Sequence, residues 1–276
     1  MICYNCLMPE LPEVETIKRG LEKFVNGHII QSVSVLSERN FIGDPQRVIG
    51  STITVVERKG KGLLLHLDNG YTLAAHVKMT GQFVYRETLS DHPHQHTRII
   101  FSLDKGAYLF YNDIRKFGWI HVVKTDEIQK IPFFKTLGPD PLVELSLEEF
   151  IQILKDSTTP IKTFLLDQKK IAGIGNIYAN EALFMAGIHP QRKANTLTHA
   201  EAESLLRHIQ EVLKKSIALG GASEVNFLNV EGKKGHYQNH AVVYAREGQQ
   251  CFVCKNVISR SKINGRSAFF CAFCQK

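Results

Sequence analysis

Four cysteines near the end of the chain have the spacing of a metal site. Cys251 and Cys254 are separated by two residues, Cys271 and Cys274 likewise, and sixteen residues lie between the pairs. Four thiolates close a tetrahedral shell with no open position, so the sequence predicts one structural Zn²⁺ rather than a catalytic metal. Such a zinc finger would form the C-terminal region, residues 241–276.

The segment between the two cysteine pairs is basic and carries a turn signal at Asn264-Gly265. These features predict a β-hairpin whose surface presents cations. The four cations of this segment are Lys255, Arg260, Lys262 and Arg266. A zinc ribbon that only stabilises the end of the chain, with surface charges that bind nothing, fits the same spacing.

A second group of reactive residue types stands at the other end of the chain, where Pro9, Glu10 and Glu13 lie close together. Apolar residues recur at helical spacing from Val14 onward, and Asn26-Gly27 supplies a stop, so a helix is predicted here. Prolines and acids are common in the first turn of any helix. Taken alone, the three residues therefore predict only a helix start.

Charge and composition indicate the kind of partner. The net charge is +7 and the pI about 9.0, and the last 26 residues contain five Lys or Arg and no Asp or Glu. Positive surfaces of this kind suit a polyanion such as nucleic acid. No apolar run reaches the roughly 18–20 residues that span a bilayer, and no signal peptide is evident, so a cytoplasmic protein without a membrane partner is expected. The remaining pair, Cys3 and Cys6, has no partner pair and is interpreted as incidental.

The elements that must position these residues change character along the chain. From residue 29 to about 123, short β-type runs alternate with turn signals such as Asp68-Asn69-Gly70, which predicts a β-sandwich. Prolines and a glycine at residues 132–141 predict a linker. Helical signals dominate after it, including a capping box at Ser146 and Glu149. The predicted fold class is α+β, with an N-terminal β-sandwich domain at residues 9–131 and a helical domain at residues 142–240.

Several motifs, taken together, resemble those of bacterial formamidopyrimidine-DNA glycosylases, also called 8-oxoguanine DNA glycosylases. They occur in order over nearly the whole chain. The motifs are Pro9-Glu10-Leu11-Pro12-Glu13-Val14-Glu15-Thr16, Lys59-Gly60-Lys61-Gly62, Lys78-Met79-Thr80-Gly81, Asn112-Asp113-Ile114-Arg115-Lys116-Phe117-Gly118, Gly173-Ile174-Gly175-Asn176-Ile177-Tyr178 and Gly265-Arg266-Ser267. The resemblance implies a bifunctional glycosylase and abasic-site lyase of base-excision repair, with a helix–two-turn–helix domain followed by a zinc finger.

The resemblance also implies that Met8 is the initiator and is removed, so that residues 1–8 are absent from the mature protein and Pro9 is its N-terminus. Its amine would attack the anomeric carbon of the sugar, release the oxidised purine and leave a Schiff base. An α-amine has a pKa of about 8, against about 10.4 for lysine, and therefore holds more of the neutral nucleophile at neutral pH. With residues 1–8 attached, the nitrogen of Pro9 would be a tertiary amide without this reactivity.

The other catalytic assignments also follow from the resemblance. Glu10 is expected to protonate the sugar ring oxygen, with Glu13 supporting the same site. Lys61 is expected to contact phosphate or lesion and to donate a proton during β-elimination. Arg266 corresponds to the proton donor of δ-elimination, although a guanidinium is a weak acid and electrostatic stabilisation of the leaving phosphate fits equally well. The alternative for each is an ordinary helix acid or a solvated surface cation.

The DNA-binding assignments have the same basis. Extruding a nucleotide leaves a gap in the duplex. The resemblance implies that Met79 and Phe117 fill it while Arg115 binds the base opposite the lesion; the alternative for the two apolar residues is core packing. His94 corresponds to a DNA contact, and Asn176 is expected to cap a helix whose free N–H groups bind phosphate.

Two alternative functions remain open from the residues. One is a sister glycosylase that prefers oxidised pyrimidines, like endonuclease VIII, but its opening and its gap-filling residues differ from those found here. The other is a non-catalytic, zinc-containing DNA-binding protein, which the charge and the cysteines fit but which leaves Pro9, Glu10 and Lys61 unexplained. The expected partner is double-stranded DNA with oxidised bases or abasic sites, and the protein is expected to be a monomer at the nucleoid.

Overall fold

The structure, a computed structural model, describes residues 8–89, 93–223 and 227–276. Cys3 and Cys6, interpreted above as incidental, lie outside the described residues. The chain divides into two compact units. The first contains the residues up to Lys135 together with Leu219–His236, and the second contains Thr136–Ala218 and Tyr237–Lys276.

The first unit is built on two β-sheets and an N-terminal helix. Helix α1 spans Leu11–Val25, and a short helix α2 spans Pro132–Lys135. One sheet has the order β1-β7-β8-β6 and the other the order β2-β9-β5-β4-β3. The strands are β1 (Ile30–Val35), β2 (Phe41–Ile42), β3 (Ile53–Lys59), β4 (Gly62–Leu67), β5 (Tyr71–His76), β6 (Gly81–Arg86), β7 (Thr97–Leu103), β8 (Tyr108–Asp113) and β9 (Trp119–Lys124). The predicted sandwich is confirmed.

Burial explains why these strands form two layers with α1 against them. Residues of both sheets and of α1 share one apolar core, to which the helix contributes Val14, Ile17, Leu21 and Val25. Strand β7 alternates buried and half-buried residues, as expected of a strand with one face on the core. Pro12 lies in the first turn of α1, where its missing N–H costs nothing.

Two connections cross from one sheet to the other at the same end of the sandwich. Residues 77–80 link β5 to β6, and residues 114–118 link β8 to β9. Strand β5 pairs with β9 and β6 pairs with β8, with His76 opposite Trp119 and Gly81 opposite Asp113. The strand ends therefore coincide, and the two connections must lie side by side.

The second unit is mainly helical. Its helices are α3 (Leu147–Lys155), α4 (Ile161–Leu166), α5 (Asn176–Met185) and α6 (His199–Ala218). The predicted capping box is present, since Ser146 Oγ accepts the N–H of Glu149 and the Glu149 carboxylate accepts the N–H of Ser146. Strands β10 (Ser259–Ile263) and β11 (Arg266–Phe270) form the predicted hairpin, with Asn264 and Gly265 at positive φ in its turn.

One predicted domain boundary differs in the structure. Residues 219–236, assigned above to the helical domain, pack with the sandwich unit. Their contacts explain this: Ala222 donates its N–H to Glu13 on α1, and Tyr85 on β6 donates its N–H to the carbonyl of Val230. The division at Lys135 lies within the predicted linker, residues 132–141.

Residues 242–244, which precede the four cysteines, do not form a strand. The N–H groups of Val242, Val243 and Tyr244 donate to the buried carboxylate of Glu181 instead of to a neighbouring strand. Burial raises the pKa of Glu181, and these three N–H donors and the Tyr237 hydroxyl oppose that rise.

Candidate active site and nucleic-acid interface

The predicted catalytic residues at the start of the chain are brought together at the beginning of α1. Pro9, Glu10 and Glu13 are all buried. Glu13 Oε2 accepts the backbone N–H of Glu10 at 2.8 Å, and Glu13 Oε1 accepts the N–H of Ala222 at 2.7 Å. Glu13 thus fixes the backbone that carries Glu10.

A third acid on α1, Glu15, ties this helix to the strand that leads to Lys61. Its carboxylate binds Arg58 on β3, with Arg58 Nε 2.8 Å from Oε2. Burial raises the pKa of Glu15, but the hydrogen bonds and charges of Arg58 and Arg19 together outweigh it, so that the net pKa is lowered. Arg58 also donates to the carbonyl of Gly60, the first residue of the turn that carries Lys61.

Lys61 occupies the second position of a two-residue turn between β3 and β4, where Lys59 pairs with Gly62. Gly60 takes up the positive φ of 57° that the turn requires. Only 4% of Lys61 is exposed, so the alternative of a solvated surface lysine is wrong. Gly62 is required on the other side, because a Cβ there would lie 2.6 Å from the ring of Phe134.

A buried histidine lies in the same electrostatic environment as Lys61. Burial and the charges of Lys78 and Lys61 lower the pKa of His76 to about 3. His76 Nδ1 accepts the N–H of Lys78 at 2.9 Å, which requires an unprotonated nitrogen at that position. His76 is therefore uncharged at neutral pH and does not change the positive charge that Lys61 and Lys78 provide.

The three residues predicted to fill the gap in DNA meet on the two connections between the sheets. Arg115 Nη1 donates to Met79 Sδ at 3.1 Å, and its guanidinium lies 4.6 Å from the centre of the Phe117 ring. Met79 is half-buried, while Arg115 and Phe117 are exposed, Phe117 by 42%. Core packing is thus excluded for Phe117, and the cluster offers two apolar groups around one cation.

His94 lies in an exposed loop next to this cluster. The carbonyl of His94 accepts the N–H of Thr97, and that of His96 accepts the N–H of Asp113, so the loop is attached to the connection after β8. Burial and the neighbouring His96 lower the pKa of His94. The N–H of His96 donates to Nδ1 of His94 at 3.0 Å, so the imidazole is anchored to its own loop.

In the second unit, the expectation for Asn176 needs one correction. The N-cap of α5 is Gly175, in an extended conformation, and Asn176 is the first helical residue. The side chain of Asn176 makes no capping bond, and its Oδ1 is buried with no hydrogen-bond partner among the described residues. A buried acceptor at the first turn of a helix needs a partner, which a ligand or water can supply.

The four cysteine sulfurs lie within 4.8 Å of one another. Cys254 and Cys271 are 3.4 Å apart and Cys251 and Cys274 are 3.9 Å apart. Sulfurs at about 2.3 Å from a tetrahedral zinc are separated by about 3.8 Å, so the donor set and its dimensions fit this metal. Burial and the surrounding thiols raise the pKa of Cys274 to about 12, because clustered thiolates repel one another unless a cation lies between them.

Arg266 is the first residue of β11 and is exposed beside the Asn264-Gly265 turn. The hairpin that carries it is attached to the helices of its own unit. The buried Lys162 donates to the carbonyl of Ser267, and Asn264 donates to Thr163 at 3.0 Å. Phe269 donates its N–H to Asn180 on α5 at 2.9 Å. These hydrogen bonds hold the hairpin turn that carries Arg266 against the helices.

Sequence profiles of known families match most of the chain. Residues 8–120 match the formamidopyrimidine-DNA glycosylase N-terminal domain, and residues 137–227 match the H2TH domain of the same glycosylases. The chain belongs to the formamidopyrimidine-DNA glycosylase family.

Members of the formamidopyrimidine-DNA glycosylase family match this chain over nearly its whole length. The formamidopyrimidine-DNA glycosylase of Pelotomaculum thermopropionicum is 42% identical, with 98% of this chain and 99% of the relative aligned. That of Lactiplantibacillus plantarum is 40% identical, with 98% and 100% aligned.

Solved structures of the family have the same fold. The Lactococcus lactis Fpg, in complex with DNA containing an abasic site, is 34% identical and has a TM-score of 0.89 over 97% of this chain and 99% of that chain. The MutM (Fpg) protein of Thermus thermophilus is 38% identical and has a TM-score of 0.88 over 97% and 98%. The predicted fold class is thereby confirmed. Among the described residues, no helix is both long enough and apolar enough to cross a membrane.

Sequence reasoning missed three supporting residues. Asp113 is assigned no role by the motif that contains it, yet its carboxylate is fully buried and accepts several hydrogen bonds. Arg58 and Glu181 were not singled out. The available signals were an acid in a glycine-bounded motif for Asp113 and an acid on the otherwise apolar helix α5 for Glu181, but neither signal identifies the partner.

Proposed function

We propose that this chain is a bifunctional DNA glycosylase and abasic-site lyase of base-excision repair that removes oxidised purines from duplex DNA. The observation that carries the proposal is the arrangement at the start of α1, where Glu13 fixes the backbone of Glu10 directly after Pro9. The relatives' printed names support the glycosylase activity, and a solved relative is bound to DNA that contains Fapy-dG.

The proposed reaction begins once Met8 is removed and Pro9 carries a free secondary amine. The amine attacks the anomeric carbon, the damaged base leaves, and Glu10 protonates the ring oxygen as the sugar opens to a Schiff base. Glu13 holds Glu10 in place. The helix N-terminus beside Pro9 lowers the pKa of a nearby amine, which increases the neutral, nucleophilic fraction.

Strand cleavage follows from the Schiff base. Lys61, buried and close to His76, is proposed to contact the phosphate or lesion and to donate a proton during β-elimination. Arg266 is proposed to act at the second, δ-elimination step, as proton donor or by stabilising the leaving phosphate. Met79, Arg115 and Phe117 occupy the gap left by the extruded base.

The remaining residues are proposed to bind the DNA backbone or to stabilise the fold. His94 and Asn176 bind DNA, and the unpartnered Oδ1 of Asn176 supports its part in this. One structural Zn²⁺ is bound by four cysteines, Cys251, Cys254, Cys271 and Cys274. This ion cross-links the finger and takes no part in catalysis. A monomeric protein in the cytoplasm, associated with the nucleoid, is the form expected for this function.

The test uses a chain begun at Met8 beside the full-length chain, each incubated with a duplex holding 8-oxoguanine opposite cytosine in the presence of borohydride. Mass spectrometry defines each N-terminus. We expect a covalent adduct on Pro9 in the chain whose N-terminal residue is Pro9. We expect no adduct in a Pro9→Gly chain whose N-terminal residue is still Met8. Binding without base release or trapping by the proline-terminated chain would refute the enzyme and favour a DNA-binding protein. A panel with oxidised pyrimidines tests the sister specificity.

A further inference from the structure

The carboxylate of Asp113 joins the two connections that carry the gap-filling residues. Its Oδ1 accepts the Thr80 hydroxyl at 2.5 Å and the N–H of Arg115 at 3.1 Å. Its Oδ2 accepts the N–H of Gly118 at 2.8 Å and Asn40 Nδ2 at 3.4 Å. One side chain therefore holds residue 80 of the first connection and both ends of the second.

Both oxygens of Asp113 act only as acceptors, in a place without solvent. The residue is 0% exposed, and the four groups bonded to its carboxylate, two side chains and two backbone N–H groups, are all donors. Buried hydrogen bonds to a carboxylate are stronger than those between neutral groups. A carboxamide of the same shape offers one acceptor and one donor, so it cannot satisfy this set of partners.

The backbone of Asp113 extends the same connection to the His94 loop. Its N–H donates to the carbonyl of His96 at 2.9 Å, and its carbonyl accepts Arg98 Nε at 2.8 Å. The two connections and the His94 loop thus meet at one buried residue.

Close packing against Tyr111 also restricts the positions of the two connections. The hydroxyl of Tyr111 lies against both glycines that end them, since a Cβ on Gly81 or on Gly118 would lie 2.4 Å or 1.8 Å from it. The connections therefore pack against the ring hydroxyl of Tyr111, and hydrogen bonds to the carboxylate of Asp113 join them to each other. The N–H of Arg115 also donates to the Thr80 hydroxyl oxygen at 3.0 Å, so a shift of either connection breaks a hydrogen bond to the other.

We propose that Asp113, with Thr80, is a positioning residue for lesion extrusion: it makes Met79, Arg115 and Phe117 one preassembled wedge that enters the duplex together. The inference rests on the proposed function. Preassembly lowers the cost of ordering three side chains at the moment when the base leaves the stack. The step that follows, attack on an already exposed sugar, does not need the wedge to the same degree.

The test removes the tie without removing a wedge residue. Thr80→Val keeps the shape of the side chain and deletes the donor, and Thr80→Ser restores it. Thr54→Val is the matched control, because the Thr54 hydroxyl donates to a backbone carbonyl on the neighbouring strand, away from both connections. Asp113→Asn breaks the tie more severely, and its thermal unfolding is recorded to establish that it folds.

Two readouts separate positioning from general damage. The first is kcat/KM for 8-oxoguanine release beside the cleavage of a preformed abasic site. The second is the fluorescence of 2-aminopurine placed next to a tetrahydrofuran site, which rises when the wedge unstacks it. We expect Thr80→Val to lower base release about tenfold and to reduce the fluorescence rise, while abasic-site cleavage stays within about twofold. Thr80→Ser and Thr54→Val should behave like the unmodified chain.

Equal losses in both reactions, or Thr80→Val and Asp113→Asn chains that keep normal base release and fluorescence, would overturn the role of Asp113. An unmodified chain that releases no base would refute the proposed function instead. The fluorescence comparison would still decide in that case whether the tie controls unstacking.

Discussion

Glu13 accepts the backbone N–H of Glu10 at 2.8 Å, while its other oxygen accepts the N–H of Ala222. The same carboxylate therefore fixes the residue that follows Pro9 and the segment that returns to α1 more than two hundred residues later. A helix acid at this position ordinarily serves only its own helix. Here it also determines where the proposed acid, Glu10, is held.

Glu13→Gln should lower both stability and activity, because the amide presents a donor to one of the two N–H groups. We expect the free energy of unfolding to fall by about 1–3 kcal/mol, and kcat/KM for base release to fall roughly tenfold to a hundredfold. Urea unfolding and single-turnover kinetics measure the two effects. Glu22→Gln is the control, since Glu22 makes an exposed ion pair with Lys18 on the same helix and should change little.

The buried His76 predicts a pH dependence of stability. Its pKa in the folded protein is about 3, below the usual 6.5, so the unfolded chain binds more protons between these values. The contribution of the neutral His76 to the free energy of unfolding is fully present above about pH 6.5. It is lost as the pH falls towards 3, and the free energy of unfolding then changes by up to about 1.4 kcal/mol per pH unit. Urea titrations at several pH values should show a flatter profile for His76→Asn.

Removal of the metal should unfold the hairpin finger. The four sulfurs are held together by no disulfide, and the apolar cluster of the hairpin contains only Ile263, Ala268 and Phe270 among the described residues. Chelation or Cys254→Ser should therefore abolish duplex binding, with one zinc lost per chain by metal analysis. A full-length chain with Cys3→Ser and Cys6→Ser should keep its zinc. Loss of metal from that chain would contradict the assignment of the four ligands.

Arg115→Ala should weaken the reading of the base opposite the lesion. The guanidinium is oriented by Met79 and Phe117, so its loss leaves two apolar groups without the cation between them. We expect the preference for cytosine over adenine opposite 8-oxoguanine to fall about tenfold, from competition kinetics with the two duplexes. Arg47→Ala removes an exposed arginine of the same unit, paired with Asp44, and should keep the preference.

Gly118→Ala should be strongly destabilising for a steric reason that a second change can relieve. The new Cβ would lie 1.8 Å from the Tyr111 hydroxyl, which has no hydrogen-bond partner among the described residues. We expect a loss of about 2–3 kcal/mol in thermal or urea unfolding. Tyr111→Phe alone should be neutral or stabilising, because it deletes an unsatisfied buried group. The double variant should recover part of the loss, and strict additivity would contradict this explanation.

The sequence by itself determined the elements whose signals are local. Helix α1, the β-hairpin at Asn264-Gly265 and the capping box of α3 follow from spacing, positive-φ residues and side chains three residues apart. The cysteine spacing likewise predicted the four ligands, since two short loops bring their own pairs together. Motifs shared with the glycosylase family supplied the rest of the proposed site, including Pro9 and Lys61.

Only the tertiary structure decided the relationships between residues that are distant in the chain. The return of residues 219–236 to α1, the capture of three N–H groups by Glu181 and the tie at Asp113 depend on which buried acceptor meets which donor. A sequence pattern carries the periodicity of each element but not the pairing of its polar groups with those of another. Because a buried donor or acceptor must find a partner wherever the packing places it, these contacts are fixed by the assembled fold.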